Sequence, residues 1–157
     1  MQKPLTPKRL ENIALYYLDR FDASSTKLRQ VLLRRLQKQK MSDTPVDPNA
    51  LKWIENVIQK CVDLGYIDDK RYVENAVRRL SAGGKSARFI QQKLLSEGLD
   101  ADLIQSFLQI DDDLTRAQTF VTKKHLGKDY EKDLAKLARA GFSYDVARRA
   151  LKGENNV

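Results

Sequence analysis

The sequence has few of the residues that form disulfides or hold metal ions. Among 157 residues, Cys61 is the only cysteine and His125 the only histidine. One cysteine excludes an intramolecular disulfide and is typical of cytosolic proteins, and no His/Cys cluster can form around a metal. The N-terminal segment lacks the apolar core of a signal peptide, and no stretch approaches the ~18 apolar residues of a membrane span. We therefore expect a soluble, cytoplasmic protein without a cofactor, a metal or a membrane partner.

Catalytic arrangements are missing as well. His125 follows Lys123 and Lys124 near a predicted helix end, where a lone histidine is usually a surface residue. The segment Gly83-Gly84-Lys85-Ser86 is superficially similar to the end of a phosphate-binding loop, but it lacks the upstream glycine and follows a helix rather than a strand. Because the sequence shows neither an acid–base constellation nor a metal site, we do not expect an enzyme.

Proline and glycine are scarce, and strand-like alternation is nearly absent, whereas helical spacing of apolar residues runs through the chain. The pattern predicts about nine helices of one to four turns, which must draw their stability from packing on one another. Glycines are predicted to end several of them, among these Gly65, Gly98, Gly127 and Gly141. The predicted helix starts are Thr6, Ser24, Asp47, Asp68 or Asp69, Ser86, Asp100, the run Asp111–Asp113, Asp129 and Ser143.

Three of these starts share one pattern, in which a serine is followed by apolar residues four and eight positions later. Ser24, Ser86 and Ser143 lie about 60 residues apart, a period long enough for three helices per unit. A single serine of this kind is an ordinary helix start. Three of them, each preceded by a helix that begins at a similar distance, favour a repeat. We predict an all-α fold of tandem three-helix repeats forming an elongated, curved array. Its predicted parts are a truncated, basic N-terminal repeat (1–40), a linker (41–47), a central three-helix repeat (48–98) and a C-terminal repeat (99–153).

Positive charge is concentrated at one end of the sequence. The chain carries a formal charge of +8, and residues 1–40 hold ten Lys/Arg against three acids, whereas residues 97–113 hold six acids and no Lys or Arg. Paired arginines recur late in predicted helices, at 34–35, 78–79 and 148–149. Such charges could simply complement helix dipoles or keep the chain soluble, or they could form a basic surface for a polyanion or an acidic protein.

Arg35 stands apart from the other arginines. On a helical wheel it falls between Val31 and Leu28, inside the apolar arc of its helix. Either its aliphatic stem lies on the core while the guanidinium reaches solvent, or this arc faces a partner; the sequence leaves both alternatives open.

Several segments together match the pattern of a known family. The segment Gly65-Tyr66-Ile67-Asp68-Asp69-Lys70-Arg71-Tyr72 has a Gly-Tyr, an apolar residue, an Asp pair, and then an arginine and an aromatic residue. It is similar to the most recognisable motif of the RecX family of recombination regulators. Residues 14–28 resemble its N-terminal helix pair, residues 84–94 its central glycine-rich turn and helix, and residues 140–146 its C-terminal Gly-Phe-Ser-Tyr-Asp segment. The resemblance covers nearly the whole chain, with its segments in the expected order.

This resemblance implies a monomeric, non-enzymatic protein that binds the RecA recombinase and its filament on DNA. It implies damping of strand exchange, ATP hydrolysis and coprotease activity, and hence a place in DNA repair, homologous recombination and the SOS response. A direct DNA-binding protein that acts without RecA, or a scaffold that binds only protein, are the alternatives. The candidate contact residues are Lys27, Arg29, Arg34, Arg35, Arg78, Arg79, Lys85, Arg88, Arg139, Arg148 and Arg149.

Overall fold

A computed structural model describes residues 3–109 and 112–153, and every regular element within them is helical. Nine α-helices are present in this part of the chain, which confirms the predicted all-α class. They divide between two compact units, Met1–Tyr72 and Val73–Val157, with the boundary inside the fourth helix. The helices are α1 (Pro7–Arg20), α2 (Ser25–Met41), α3 (Ala50–Asp63), α4 (Asp69–Ala82), α5 (Ala87–Ser96), α6 (Ala101–Phe107), α7 (Asp113–Lys123), α8 (Tyr130–Arg139) and α9 (Tyr144–Lys152).

The three repeated serines are helix caps, as predicted. The hydroxyls of Ser24, Ser86 and Ser143 each accept a hydrogen bond from the backbone N–H three residues later, at 3.1, 3.1 and 3.2 Å. Each bond satisfies an amide that has no partner within its own helix, which sets where α2, α5 and α9 begin. Thr6 and Asp100 cap α1 and α6 in the same way.

Two predicted helix boundaries are wrong. Asp47 was expected to cap the third helix, but its carboxylate accepts from the N–H of Asn49 at 2.8 Å, and α3 begins only at Ala50. The short Asx turn competes with the cap for the same carboxylate. α7 ends at Lys123, before Gly127, because His125 takes the left-handed conformation with φ 53°. The predicted start at Asp111 lies outside the described residues.

In the first unit, α3 packs against both α1 and α2. Leu10 of α1, Leu32 of α2 and Ile54 of α3 are fully buried in one core. α3 therefore forms a three-helix bundle with the two helices that precede residues 42–49, and the truncated N-terminal repeat stays a prediction. The apolar face of α1 and α2 would otherwise be exposed. The predicted repeat boundaries at 40, 47 and 98 stay predictions.

The buried Gln39 ties the segments around this bundle together. Its Oε1 accepts from the N–H of Leu5 at 2.8 Å, and its Nε2 donates to the carbonyl oxygen of Pro45 at 2.6 Å. A buried amide must be hydrogen-bonded on both sides to avoid a desolvation cost, and here both sides are satisfied. The N-terminal segment and the segment between α2 and α3 are thus fixed to the end of α2.

In the second unit, α9 packs against α7 and α8, and α5 packs against α6. Leu114, Leu137 and Ala147 are buried in a core shared by α7, α8 and α9. The rings of Phe120 and Phe142 meet edge to face, with centroids 6.0 Å apart. None of the described helices is both long enough and apolar enough to cross a bilayer.

Candidate basic interface

A row of basic side chains runs along one face of α2. Lys27, Arg34 and Lys38 are spaced by seven and four residues, so their side chains follow one line along the helix, with Arg35 at its edge. Arg34, Arg35 and Lys38 are exposed, and Lys27 is half-buried. We call these four residues the α2 stripe; Lys38 was not among the predicted contacts. The exposure of Arg35 is compatible with both alternatives left open for it.

The stripe has uncompensated charge. Among the described residues, no carboxylate lies within 4.0 Å of the charged groups of Arg34, Arg35 or Lys38. Exposed cations without an internal partner remain available for an anion on another molecule. The α2 stripe is therefore the strongest candidate contact surface in the first unit.

Arg29, although it lies on the same helix, is held by an internal ion pair. Its Nε donates to Oε1 of Glu55 at 2.6 Å, and its Nη2 donates to Oε2 at 3.1 Å. This fork lowers the pKa of the Glu55 carboxyl and raises the pKa of Arg29. Arg29 is therefore the least available of the predicted contacts in the first unit, because an external anion would have to replace Glu55.

The predicted arginine pairs of the second unit are only partly available. Arg78 and Arg79 on α4 are both exposed, and the guanidinium of Arg78 lies 3.4 Å from the carboxylate of Glu74, one turn earlier. Arg148 and Arg149 on α9 are half-buried, and both lie near Asp145, at 3.1 and 4.0 Å. The pairs therefore do not form equivalent exposed positions in each unit, as a regular basic stripe would require.

A close contact joins two turns of the second unit. The hydroxyl of Ser86, which caps α5, donates to the carbonyl oxygen of Ala140 at 2.9 Å. A Cβ built on Gly141 would lie 2.5 Å from Ser86 Oγ and 3.7 Å from the Cβ of Arg88. The turn between α8 and α9 therefore lies directly on the first turn of α5, and Gly141 permits that approach.

Five exposed side chains lie on or next to the two turns that this contact joins, and we call them the junction patch. Lys85, Arg88 and Phe89 belong to the α4–α5 turn and the start of α5, and Arg139 and Tyr144 flank the α8–α9 turn. All five are exposed, Phe89 by 39% and Tyr144 by 69%. The ammonium of Lys85 lies 5.0 Å from the centroid of the Phe89 ring, a cation–π distance. Three predicted contacts thus lie on or next to these two joined turns, as do two aromatic rings that were not predicted.

The surroundings of the junction patch contain few acids. Two acids border it: Asp113, which accepts from the N–H of Ala87 and pairs with Arg116, and Asp145, which follows Tyr144 and pairs with Arg148. Besides the Ser86–Ala140 contact, a Cβ on Gly84 would lie 2.8 Å from the backbone nitrogen of Phe120, so the α4–α5 turn also lies on α7. The local potential is therefore positive, and it favours an anionic partner.

Two aspartates, Asp69 and Asp113, cap helices other than their own, and sequence reasoning did not find this. The Asp69 carboxylate accepts from the N–H of Ser25, the first residue of α2, at 2.9 Å. The Asp113 carboxylate accepts from the N–H of Ala87, the first residue of α5, at 2.8 Å. Asp68 caps α4 itself through the N–H of Arg71. One feature of the sequence could have suggested these caps. Both aspartates belong to runs of two or three acids, whereas a single carboxylate is enough to cap one helix.

Arg116 is a buried cation of the second unit, and it was not singled out from the sequence. Its side chain is 4% exposed, and it lies 3.1 Å from Asp113. Its Nε donates to Ser81 and its Nη1 to the carbonyl oxygen of Gln109. This network neutralises Asp113, the acid that approaches α5. Among the described residues no group of His, Cys, Asp or Glu could hold a metal ion.

Comparisons with known proteins identify a family. Residues 68–108 match the family model described as RecX, second three-helix domain, which here covers α4 to α6. The chain is 32% identical to the regulatory protein RecX of Myxococcus xanthus over 95% of this chain and 87% of that protein. It is 29% identical to that of Vibrio vulnificus, over 98% and 99% of the two chains. The crystal structure of RecX from Lactobacillus salivarius has the same fold, with a TM-score of 0.69 over 94% of this chain and 95% of that chain at 22% identity.

Proposed function

The chain belongs to the RecX family of regulatory proteins, and from this premise we propose that it binds the RecA recombinase and its filament on DNA. In this proposal the chain acts mainly as an inhibitor of RecA: it lowers the strand exchange, the ATP hydrolysis and the coprotease activity of RecA. It acts as a monomer in the cytoplasm, without a catalytic step or cofactor of its own. Such inhibition would affect DNA repair, homologous recombination and the SOS response.

The α2 stripe is the observation that carries the proposal for this chain. Arg34 and Arg35 are exposed cations without an internal acidic partner in the described part of the chain, in the segment that holds most of the net charge. A RecA filament offers anions of two kinds, the phosphates of its DNA and the carboxylates of its subunits. A basic surface on a helical protein fits either one, and it would speed association with both.

Separate basic surfaces suggest how one chain could act on more than one RecA subunit. The α2 stripe belongs to the first unit and the junction patch to the second. We propose that the chain lies along the groove of the filament and that these surfaces contact neighbouring protomers. Bridging of this kind would restrain the movements that accompany ATP hydrolysis.

Charge reversal on the α2 stripe tests this proposal. Arg34→Glu/Arg35→Glu should raise the concentration needed for half-inhibition of DNA-dependent ATP hydrolysis by RecA, by roughly ten-fold. Lys40→Glu/Lys52→Glu is the matched control, because it changes the charge equally at exposed positions outside the stripe. Single-stranded DNA should be in excess over both proteins, so that loss of free DNA cannot imitate inhibition.

The control variant should inhibit as the unaltered chain does. If the Arg34/Arg35 variant is folded and also inhibits normally, the α2 stripe has no part in the mechanism. Electron microscopy of filaments of fixed length, before and after addition of the chain, separates two modes of inhibition. Shortening indicates a block to growth, whereas unchanged length with slower hydrolysis indicates an altered filament.

A further inference from the structure

We infer that a groove of the first unit binds a segment of another protein in which a large apolar side chain is flanked by an acid and a base. The groove lies between α1 and the turn that joins α3 to α4, and we call it the α1 groove. Its volume is about 410 Å³, and it is lined by Leu15, Leu18, Asp19, Gly65, Tyr66 and Arg71. The inference goes beyond the proposed function, which rests on the basic surfaces and does not use this groove.

Most of the segment from Gly65 to Tyr72 has a role in the fold. Gly65 takes φ +75° where α3 ends, and Ile67 is 2% exposed in the core of the first unit. The carboxylates of Asp68 and Asp69 accept from backbone N–H groups at the starts of α4 and α2. The fold therefore accounts for these four residues without any partner.

The side chains of Tyr66 and Arg71 have no such role. Tyr66 is 51% exposed, although its backbone is fixed by a hydrogen bond of 2.9 Å from its N–H to the carbonyl oxygen of Cys61. Arg71 is exposed, and no carboxylate of the described chain lies within 4.0 Å of its guanidinium. Both residues line the α1 groove. Tyrosine and arginine are among the residue types that contribute most to binding at protein interfaces, so these two are suited to a partner.

The apolar part of the groove favours a large apolar side chain from the partner. Leu15 and Leu18 lie on one face of α1, and Leu15 is 37% exposed. Apart from its chain neighbours, no atom lies within 4 Å of a Cβ built on Gly65, so the space beside Tyr66 is open. Sites for small molecules bury most of the surface of their ligand, whereas this groove is open to solvent. It therefore suits a segment of a larger molecule.

The charges of the groove define what flanks that apolar side chain. Asp19 belongs to α1 and Arg71 to α4, and no ion pair within 4.0 Å joins them. A segment with a base facing Asp19 and an acid facing Arg71 satisfies both charges, and it can bind in one orientation only. Nucleic acid fits poorly, because the two charges cancel and a phosphate would meet the Asp19 carboxylate.

The test is selection of phage-displayed peptides of about twelve residues on the chain, without RecA. We expect the enriched peptides to share an aromatic or large aliphatic residue with an acid and a base within one helical turn of it. A synthetic peptide of this consensus should bind Tyr66→Ser/Arg71→Gln about ten-fold more weakly than the unaltered chain, as measured by fluorescence anisotropy. Tyr130→Ser/Lys136→Gln removes an exposed tyrosine and an exposed cation from α8, and this matched control should bind normally.

Arg71→Glu tests the charges separately. A glutamate three residues after the Asp68 cap is favourable at a helix start, so this variant should fold. Selection on it should enrich peptides in which a base replaces the acid.

Three results would overturn the inference. They are no consensus on the unaltered chain, the same consensus on Arg71→Glu, or unchanged binding of the consensus peptide by the folded Tyr66→Ser/Arg71→Gln variant. Sedimentation equilibrium adds a fourth: a dimer of the chain that Tyr66→Ser abolishes would mean that a second copy fills the groove. None of these measurements contains RecA, so none bears on the proposed inhibition.

Discussion

The hydroxyl of Ser86 joins two helix turns, because it accepts from the first turn of α5 and donates to the carbonyl oxygen of Ala140, 54 residues later, at 2.9 Å. One side chain thus caps a helix and fixes a second turn against it. The next residue, Gly141, has φ +98°, and a Cβ there would lie 2.5 Å from the same hydroxyl oxygen. The contact therefore requires glycine for both conformation and space.

Gly141→Ala should destabilise the second unit by about 2–4 kcal/mol, because backbone strain adds to the clash with Ser86. Gly127→Ala is the matched control: its φ is +124°, but apart from its chain neighbours no atom lies within 4 Å of a Cβ there. Urea unfolding followed by circular dichroism gives both values. A cost at Gly141 no larger than that at Gly127 would show that the Ser86 contact does not constrain this turn.

Such long-range contacts mark the limit of what the sequence predicts here. The Ser24, Ser86 and Ser143 caps were predictable because each joins residues three positions apart. That α3 packs on α1 and α2 was not, because helical spacing shows that a face is apolar but not which face it meets. The hydrogen bond from the N–H of Ala87 to the Asp113 carboxylate spans 26 residues. It was not predictable either, because the sequence does not show which helices meet.

The candidate interface was predictable in part. The basic residues were identifiable by type, but their availability depends on neighbours that come from elsewhere in the chain. Arg29 is paired because α3 brings Glu55 to it, and Arg88 lies beside the α8–α9 turn because Gly141 allows close approach. The exposed ring of Phe89 escaped notice, because an aromatic residue at helical spacing is usually buried.

Asp113→Ala should destabilise the second unit by about 3–5 kcal/mol, since it removes the carboxylate that pairs with the buried Arg116 and caps α5. The matched control is Asp145→Ala, whose carboxylate pairs with Arg148 near the surface and should cost no more than about 1 kcal/mol. Chemical denaturation compares the two variants. Equal costs would mean that Asp113 is not needed to compensate the buried charge.

Cys61 should be almost unreactive in the folded chain. Burial raises the pKa of its thiol, and the nearby Glu11 carboxylate acts in the same direction. The folded state therefore keeps the proton that the unfolded state loses, so stability should fall as pH rises above the ordinary pKa of a thiol. A thiol reagent at pH 8 should label the chain rapidly in urea but slowly without it. Rapid labelling of the native chain would contradict the buried position.

The Glu55 carboxyl should titrate below its ordinary range, because the hydrogen bonds from Arg29 stabilise its charged form. The stabilisation by this pair is present above the ordinary glutamate pKa and is lost as pH falls through the lowered value. Glu55 is exposed and Arg29 is half-buried, so solvent screens the pair and its stabilisation should amount to about 0.2–1 kcal/mol.

Arg29→Gln should return the pKa of Glu55 toward its ordinary value, as followed by NMR titration. The pKa of Glu11, which Lys60 lowers, should stay where it is and serves as the internal control. If the pKa of Glu55 is unaltered by Arg29→Gln, the ion pair does not persist in solution. Arg29 would then be as available to an external anion as the other predicted contact residues.

The most direct test of the central claim is the rate of ATP hydrolysis by RecA on excess single-stranded DNA while the chain is titrated in. The proposed function predicts that the rate falls steadily to a low plateau, and that co-sedimentation finds the chain bound to the filaments. An unchanged rate at concentrations far above that of RecA, with no chain on the filaments, would contradict it.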